Sequence, residues 1–477
     1  MTATAAALLL YLLAQFGLGV WISRRIKSES DYFVAGRSLG YSLATFSIFA
    51  TWFGAETVVG SAGSAYREGV SVASAEPFGY GICLILMGLV FAAPLWRRQL
   101  TTLADLYRQR YSPGVERLAA VILIPSSVLW AAAQIRAFGH VLSTATTGLS
   151  AEAAIGLAAG FTILYTMFGG LLVDAITDLF QGILLALGLA VVFVAVIVHF
   201  GGPGEAFAAI GRTAPVRLLP SSGGSVLDVV EAWAIPVFGS VVATEIVGRV
   251  IAARSPTVAR RSSLLAAALY LSFGLIPLYV GLVGPELVPS LADAEQLVPT
   301  VARQLLPTLL YAVFAGGLIS AILSTVDSTL LVSSGLLSHN LIVPIFRVTE
   351  ERRKVLIARA GVFAFGCLAY LLALGADGVF ALVEQASAFG SAGALVTVCF
   401  ALFTRTGGPL AAYATLSLGT LSYVLASAAG ASHPFLTSLA VALAAYLGGA
   451  VLERARDGLV RRGAEVRSES AAGAHRP

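Results

Sequence analysis

Phe49-Ala50-Thr51-Trp52-Phe53-Gly54-Ala55-Glu56-Thr57-Val58-Val59-Gly60-Ser61-Ala62-Gly63 is apolar enough for a membrane helix, yet glycine interrupts it at 54, 60 and 63 and it carries an acid, Glu56. Glycine weakens a helix interior by about 1 kcal/mol relative to alanine. A carboxylate at membrane depth is retained mainly where it faces protein, water or an ion. Unwound backbone at that depth persists where it lines a cavity, and its freed carbonyls can then ligate a cation. A second weak point follows about five spans later, at Pro236 and Gly239 with Glu245 beyond them. Proline removes an amide donor and its ring disfavours a straight helix. Either break alone reads as close helix packing through glycine; the two together, in corresponding positions, fit an inverted repeat and transport.

A third segment supplies the polar face that such breaks would meet. Ala321-Ile322-Leu323-Ser324-Thr325-Val326-Asp327-Ser328 lies inside a long apolar run. Positions 321, 324, 325 and 328 share one helix face, and 327 lies beside 324 and 328. The face is rich in oxygen and has no Cys-His cluster, which suits a hard monovalent cation better than a transition metal. Hydroxyls packed between helices are the plain alternative.

Composition sets the class. With 57% hydrophobic and 12% charged residues over 477, and a mean hydropathy of +0.86, the chain is too apolar for a soluble protein of several cores. It reads as an all-α polytopic membrane protein, with lipid as its surroundings. Apolar segments of about 20 residues span a bilayer, and thirteen are expected, near 4–22, 41–65, 71–95, 117–147, 152–168, 171–200, 226–248, 263–284, 307–342, 356–375, 379–403, 409–430 and 435–452. No positive residue precedes the first apolar run, whereas Arg24, Arg25 and Lys27 follow it, the pattern of an N-out anchor and not of a cleaved signal peptide. Thirteen spans from an outside N-terminus put all of the 30 Lys+Arg in the cytoplasm except Arg67, Arg136, Arg212, Arg217 and Arg303. The net charge of +4 therefore reports topology, not nucleic-acid binding. Cys83, Cys367 and Cys399 fall within expected spans and lack metal-ligand spacing, so they read as core residues. The tail after Arg462 is polar and Ala/Ser/Arg-rich and reads as a disordered cytoplasmic end.

Four stretches together resemble the sodium:solute symporter family: Asp31 to Gly40, Ala50 to Gly63, Thr177-Asp178-Leu179-Phe180-Gln181, and Ala321 to Ser328. The resemblance implies a LeuT-type core of two inverted five-helix repeats, here 41–200 and 226–403, preceded by one span within 1–23 and followed by two within 409–452 and a tail at 453–477. It implies a multi-pass protein of the plasma (inner) membrane, not an enzyme, that couples sodium entry to uptake of a small solute by alternating access. Carried over residue by residue, the sodium site uses the carbonyls of Ala50, Phe53 and Ala321 and the hydroxyls of Ser324 and Thr325. A second sodium site, present in some members, would fall on Asp178, Ser324, Asp327 and Ser328, with aspartate replacing a hydroxyl at 327.

The nearer resemblance is to the choline-transporter branch, through Ala50 to Gly54, Trp130-Ala131-Ala132-Ala133 and Thr325 to Ser328. Aromatic faces hold quaternary ammonium groups by cation–π attraction. Ala73 and Ala243 stand where that branch would supply tryptophans, leaving Trp130 of the cage. Candidate solute contacts are Trp52, Glu56, Glu76, Trp130, Gln134 and Glu245. The acids favour a cationic or zwitterionic amine, whereas Arg136 would hold a carboxylate or serve as an internal salt-bridge partner. Proton coupling through Glu56 or Asp327, and a sugar- or carboxylate-specific sodium symporter, are the rival readings. An intramembrane aspartyl protease would need a Gly-x-Gly-Asp signature, which is missing, and a channel would not explain two interrupted helices.

Overall fold

The computed structural model describes residues 3–24, 26–145, 149–213, 216–217, 225–376 and 378–473. Its main helices are α1 (Ala3–Ser23), α2 (Tyr41–Trp52), α3 (Ser61–Glu68), α4 (Phe78–Leu86), α5 (Pro113–Ala145), α6 (Ala151–His199), α7 (Val226–Ala234), α8 (Thr244–Ala252), α9 (Pro256–Leu287), α10 (Thr308–Leu337), α11 (Glu351–Gly375), α12 (Val379–Ala388), α13 (Ser391–Phe403), α14 (Pro409–Ala428) and α15 (Pro434–Gly473). Shorter helices and helical turns, Pro203–Thr213 and Leu297–Leu305 among them, join them. Among the described residues the fold is helical apart from two-residue strands, β1 (Val70–Ser71) and β2 (Val216–Arg217), which pair in parallel.

Among the described residues eleven helices are long and apolar enough to cross a membrane, or up to twelve when α2 and the run Glu56–Glu68, bent by 52°, count as one broken span. The expected thirteen is reached only if α6 is two spans. At about 1.5 Å per residue its 49 residues would overreach a bilayer core of about 30 Å. Gly170 interrupts it with φ 67° and ψ 170°. A Cβ there would lie 2.9 Å from the Tyr32 ring, so both the backbone angle and the close approach call for glycine.

Burial sorts the helices. In the most apolar window of α10, 78% of residues are buried, against 28% in those of α1 and α14, so α10 is the central column. It packs on α6 and α5, while α14 and α15 pack on each other at the edge. The tail read as disordered continues α15 as helix to Gly473, a correction that fits its Ala-, Glu- and Arg-rich composition and their high helix propensity.

The two broken helices are tied to each other at one end. Leu39, just before α2, pairs with Ala253, just after α8. The Leu39 amide donates to Ala252 O at 3.2 Å, and the Arg254 amide donates to Leu39 O at 2.9 Å. Arg37 reinforces the tie through Leu100 O (2.8 Å) and Ile251 O (3.3 Å). Nearby, Asp105 accepts from the Thr101 amide (2.7 Å), faces His339 Nε2 (3.2 Å) and accepts from Asn340 (3.1 Å). Burial alone would raise this carboxyl, but the hydrogen bonds from His339 and the Thr101 and Thr102 amides outweigh it and hold it below the usual carboxylate range.

Candidate functional site

The first break is held open by two side chains. Phe53 leaves the helix (φ −93°, ψ 69°) while its amide still bonds Phe49 O at 2.8 Å. The next two amides turn away from the ladder: Gly54 donates to Glu56 Oε1 (3.3 Å) and Ala55 to Gln134 Oε1 on α5 (2.9 Å). Gln134 Nε2 in turn donates to Glu56 Oε2 at 2.7 Å. In an unbroken helix those amides would bond Ala50 and Thr51, so the carbonyls of both are released. A Cβ on Gly54 would stand 2.9 Å from Gln134 Nε2 and nearer still to Glu56, so a side chain there would push the clasp apart.

The α10 hydroxyls meet that released backbone. Thr325 Oγ1 donates to Thr51 O at 2.9 Å and to its own-helix Ala321 O at 3.1 Å. Thr51 Oγ1 lies 3.2 Å from Ser328 Oγ. Ala50, Phe53, Ala321, Ser324 and Thr325 are all buried. The residues expected to hold sodium, at α2 and α10, are thus brought side by side, and a buried acid, Asp178, is bonded to Ser324. The carbonyl and hydroxyl oxygens of this set are hard and neutral, the kind that fits a monovalent cation.

The residues of the expected second ion site divide into two groups. Asp178 accepts from Ser324 Oγ (2.5 Å) and Ser47 Oγ (2.6 Å). Asp327 faces elsewhere, accepting from Thr166 Oγ1 at 2.5 Å with its second oxygen unpartnered among the described residues. Two residues that sequence reasoning missed stand between. Arg249 of α8, fully buried, hydrogen-bonds Asp174 and Ser328 through Nη2, which lies 3.7 Å from Asp178 Oδ2. The sequence reading put Arg249 in a cytoplasmic basic stretch; the structure corrects this, because a guanidinium at a helix end is drawn inward when two acids one turn apart on a neighbouring helix face it. The spacing Asp174/Asp178 and Glu245/Arg249, both i,i+4, was the available signal.

The six solute candidates are spread out: Glu56 and Gln134 hold the first break, and Glu76 alone of them lines the cavity beyond it. A cavity of about 240 Å³ lies under the loop that follows α3, and its charged lining residues are Glu68, Glu76 and Glu384, with Tyr80 and Phe380 as aromatic walls. Glu76 Oε1 accepts from Tyr270 OH (2.8 Å) and Thr57 Oγ1 (3.0 Å), and its Oε2 has no partner among the described residues. Below it Trp52, Trp130 and Tyr80 form a cluster, with centroids 5.2 Å apart for the tryptophans and 5.7 and 6.2 Å from each to Tyr80. Tyr80, unrecognised in the sequence although one turn past Glu76, thus supplies a third ring. Glu245 is not in this cavity wall: it accepts from Ser127 (2.5 Å) and Thr244 (3.3 Å), a tie between α8 and α5. Arg136 is also outside it and donates to Ala373 O at 3.1 Å.

The family model described as "SSF: Sodium:solute symporter family" matches residues 32–413. The chain is 26% identical to the human high affinity choline transporter 1 over 392 residues, covering 77% of this chain and 67% of that protein. It is 25% identical to the sodium/pantothenate symporter of Escherichia coli strain K12 over 480 residues, covering 93% and 95%. Its fold is similar to that of a Na+-coupled sialic acid symporter solved in a substrate-bound outward-open state, with a TM-score of 0.80 at 18% identity over 94% of this chain and 97% of the other.

Proposed function

The chain belongs to the sodium:solute symporter family, and from that premise we propose that the small solute it carries with sodium bears a positively charged nitrogen, as a cationic or zwitterionic amine. It is a multi-pass membrane transporter of LeuT-type fold, not an enzyme, and it works by sodium-coupled symport. The observation that carries the solute assignment is the charge of the cavity wall: three carboxylates and, among its lining residues, no Lys, Arg or His. A cation entering it gains an ionic partner in Glu76 and aromatic faces in Tyr80 and Phe380, each such face being worth about 0.5–2 kcal/mol, with Trp52 and Trp130 packed against Tyr80. The name of the choline transporters to which the chain is similar agrees with this chemistry. The pantothenate symporters point toward a carboxylate, but Arg136, the residue best suited to hold one, is bonded to Ala373 O and does not line the cavity.

Sodium binds, on this reading, to the carbonyls of Ala50, Phe53 and Ala321 with the hydroxyls of Ser324 and Thr325. Support comes from the release of the first-break carbonyls and from the Thr325–Thr51 contact of 2.9 Å. An ion there joins α2 to α10, so its arrival and departure bias how the broken helix sits on the central column. The N-terminus faces outside and the C-terminus the cytoplasm of the inner membrane, as the Lys and Arg distribution favours; taking Arg249 out of the count leaves the imbalance in place.

A thermal-shift screen of amines, amino acids, sugars and carboxylates in sodium and potassium buffers tests the solute, since ligand binding to the native state raises apparent stability. The expected result is stabilisation by an amine or zwitterion that is larger in sodium. Tight sodium-dependent stabilisation by a sugar, or by a dicarboxylate without nitrogen, overturns it. Uptake driven by a pH gradient without sodium would favour proton coupling instead.

A further inference from the structure

We propose that Arg249 is a built-in cation that takes the place of a second sodium ion, so that one sodium accompanies each solute. The proposal rests on the sodium-coupled reading above and concerns the neighbouring cluster of charges. Asp174 and Asp178 are both fully within the protein and stand one turn apart on α6, facing α8 and α10. Two carboxylates so placed repel, and burial deprives them of water, so a positive charge must sit between them. Arg249 supplies it. Its Nη2 bonds Asp174 and Ser328 and lies 3.7 Å from Asp178 Oδ2, and Nη1 donates to Glu245 O of its own helix at 3.4 Å.

The surrounding hydroxyls are arranged for this occupant. Ser47 and Ser324 aim their hydrogens at Asp178, and Ser328 donates to Ser324 O at 2.6 Å as well as meeting the guanidinium. A sodium ion in the same space needs those oxygens turned lone-pair inward and would stand against a charge of its own sign. Arginine does not lose its proton in proteins, and this one is tethered by the α8 backbone, so it offsets one of the two carboxylate charges in every step without being carried across. Asp327, bonded to Thr166, lies outside the arrangement.

The test is a count of bound ions on the full chain in lipid nanodiscs, with radioactive sodium titrated to saturation against potassium at constant ionic strength. Wild type is expected to bind one ion per chain. Two ions overturn the role of Arg249 while leaving sodium coupling intact; none overturns the sodium-coupled reading on which the proposal stands. Arg249→Gln removes the built-in charge and is expected to raise the count to two, and a count that stays at one overturns the proposal. Arg249→Lys keeps a cation on the same helix and is expected to hold the count at one. Where the glutamine variant does not fold, two ions on either wild type or Arg249→Lys still overturn it.

Discussion

At the first break the amides of Gly54 and Ala55 are taken by the side chains of Glu56 and Gln134, whereas at the second Pro236 has no amide to give and Gly239 lets the backbone approach α12. A Cβ on Gly239 would lie 2.5 Å from Ser387 O, so the second break is shaped by packing. Both interruptions contain a π-helical turn, Glu56–Gly60 and Ile235–Gly239, a feature common at functional sites. Their chemistry diverges afterwards. The first frees carbonyls toward the hydroxyls of α10; the second leads into α8, which delivers Arg249. A break is geometry, and the groups that satisfy its loose ends decide whether it holds an ion from solution or a charge of the protein's own.

The largest expected effect comes from stripping the partner of the first break. Ser324→Ala with Thr325→Ala deletes two oxygens; at about 1.5–3 kcal/mol each, by analogy with hydrogen bonds to charged groups, sodium affinity falls by at least about a hundredfold. Sodium-dependent uptake into proteoliposomes should vanish while membrane insertion persists. Unchanged sodium dependence would remove this face of α10 from the ion site.

Gln134→Leu attacks the clasp itself. It leaves the Ala55 amide and Glu56 without their partner, costing about 1–3 kcal/mol, visible as a lower melting temperature and a weakened sodium titration. If melting falls but the sodium titration does not move, the clasp shapes the fold without shaping the ion site. Pro236→Ala makes the matching change at the second break, where a missing amide is restored and no released carbonyl serves sodium. Sodium affinity should stay within about twofold, a shift below about 0.4 kcal/mol; a tenfold change would erase the distinction between the breaks.

The smallest effect is expected outside both. Asp105→Asn weakens the cluster with His339 and Asn340 and should lower thermal stability at neutral pH. Because the folded carboxyl is held below its ordinary value of about 3.9, its stabilisation is present above that pH and lost as pH falls through the lower, folded value. The gap between wild type and mutant should therefore close on acidification, as read by melting scans from neutral to acid. A gap that widens instead would mean the carboxyl is not held low.

Much of this was legible in the chain. Glycine at 54, proline at 236 and the hydroxyl spacing at 321–328 marked the breaks and the column between them, because backbone defects and polar faces are local properties. The Glu56–Gln134 and Ser324–Asp178 contacts were not, since each joins residues distant in sequence, 78 apart in the first case and 146 in the second. Arg249 was misplaced for a related reason: basic residues at a span's end read as solvent-facing, and only the approach of α6 turns this one inward. Glu245 illustrates the reverse error, an acid expected beside solute that two hydroxyls hold as a helix tie.

The pairing of Leu39 with Ala253 has a mechanical consequence. The start of one broken helix and the end of the other are sewn together backbone to backbone, with Arg37 as an extra stitch, while their far ends diverge around the cavity beside Glu76. The pair is built like tongs with a pivot at one end and jaws at the other. In such a frame a small rotation at the pivot would become a larger opening at the jaws, and the residues proposed to hold sodium, lying between the two, would sit where the arms exert more force and move less than at the tips.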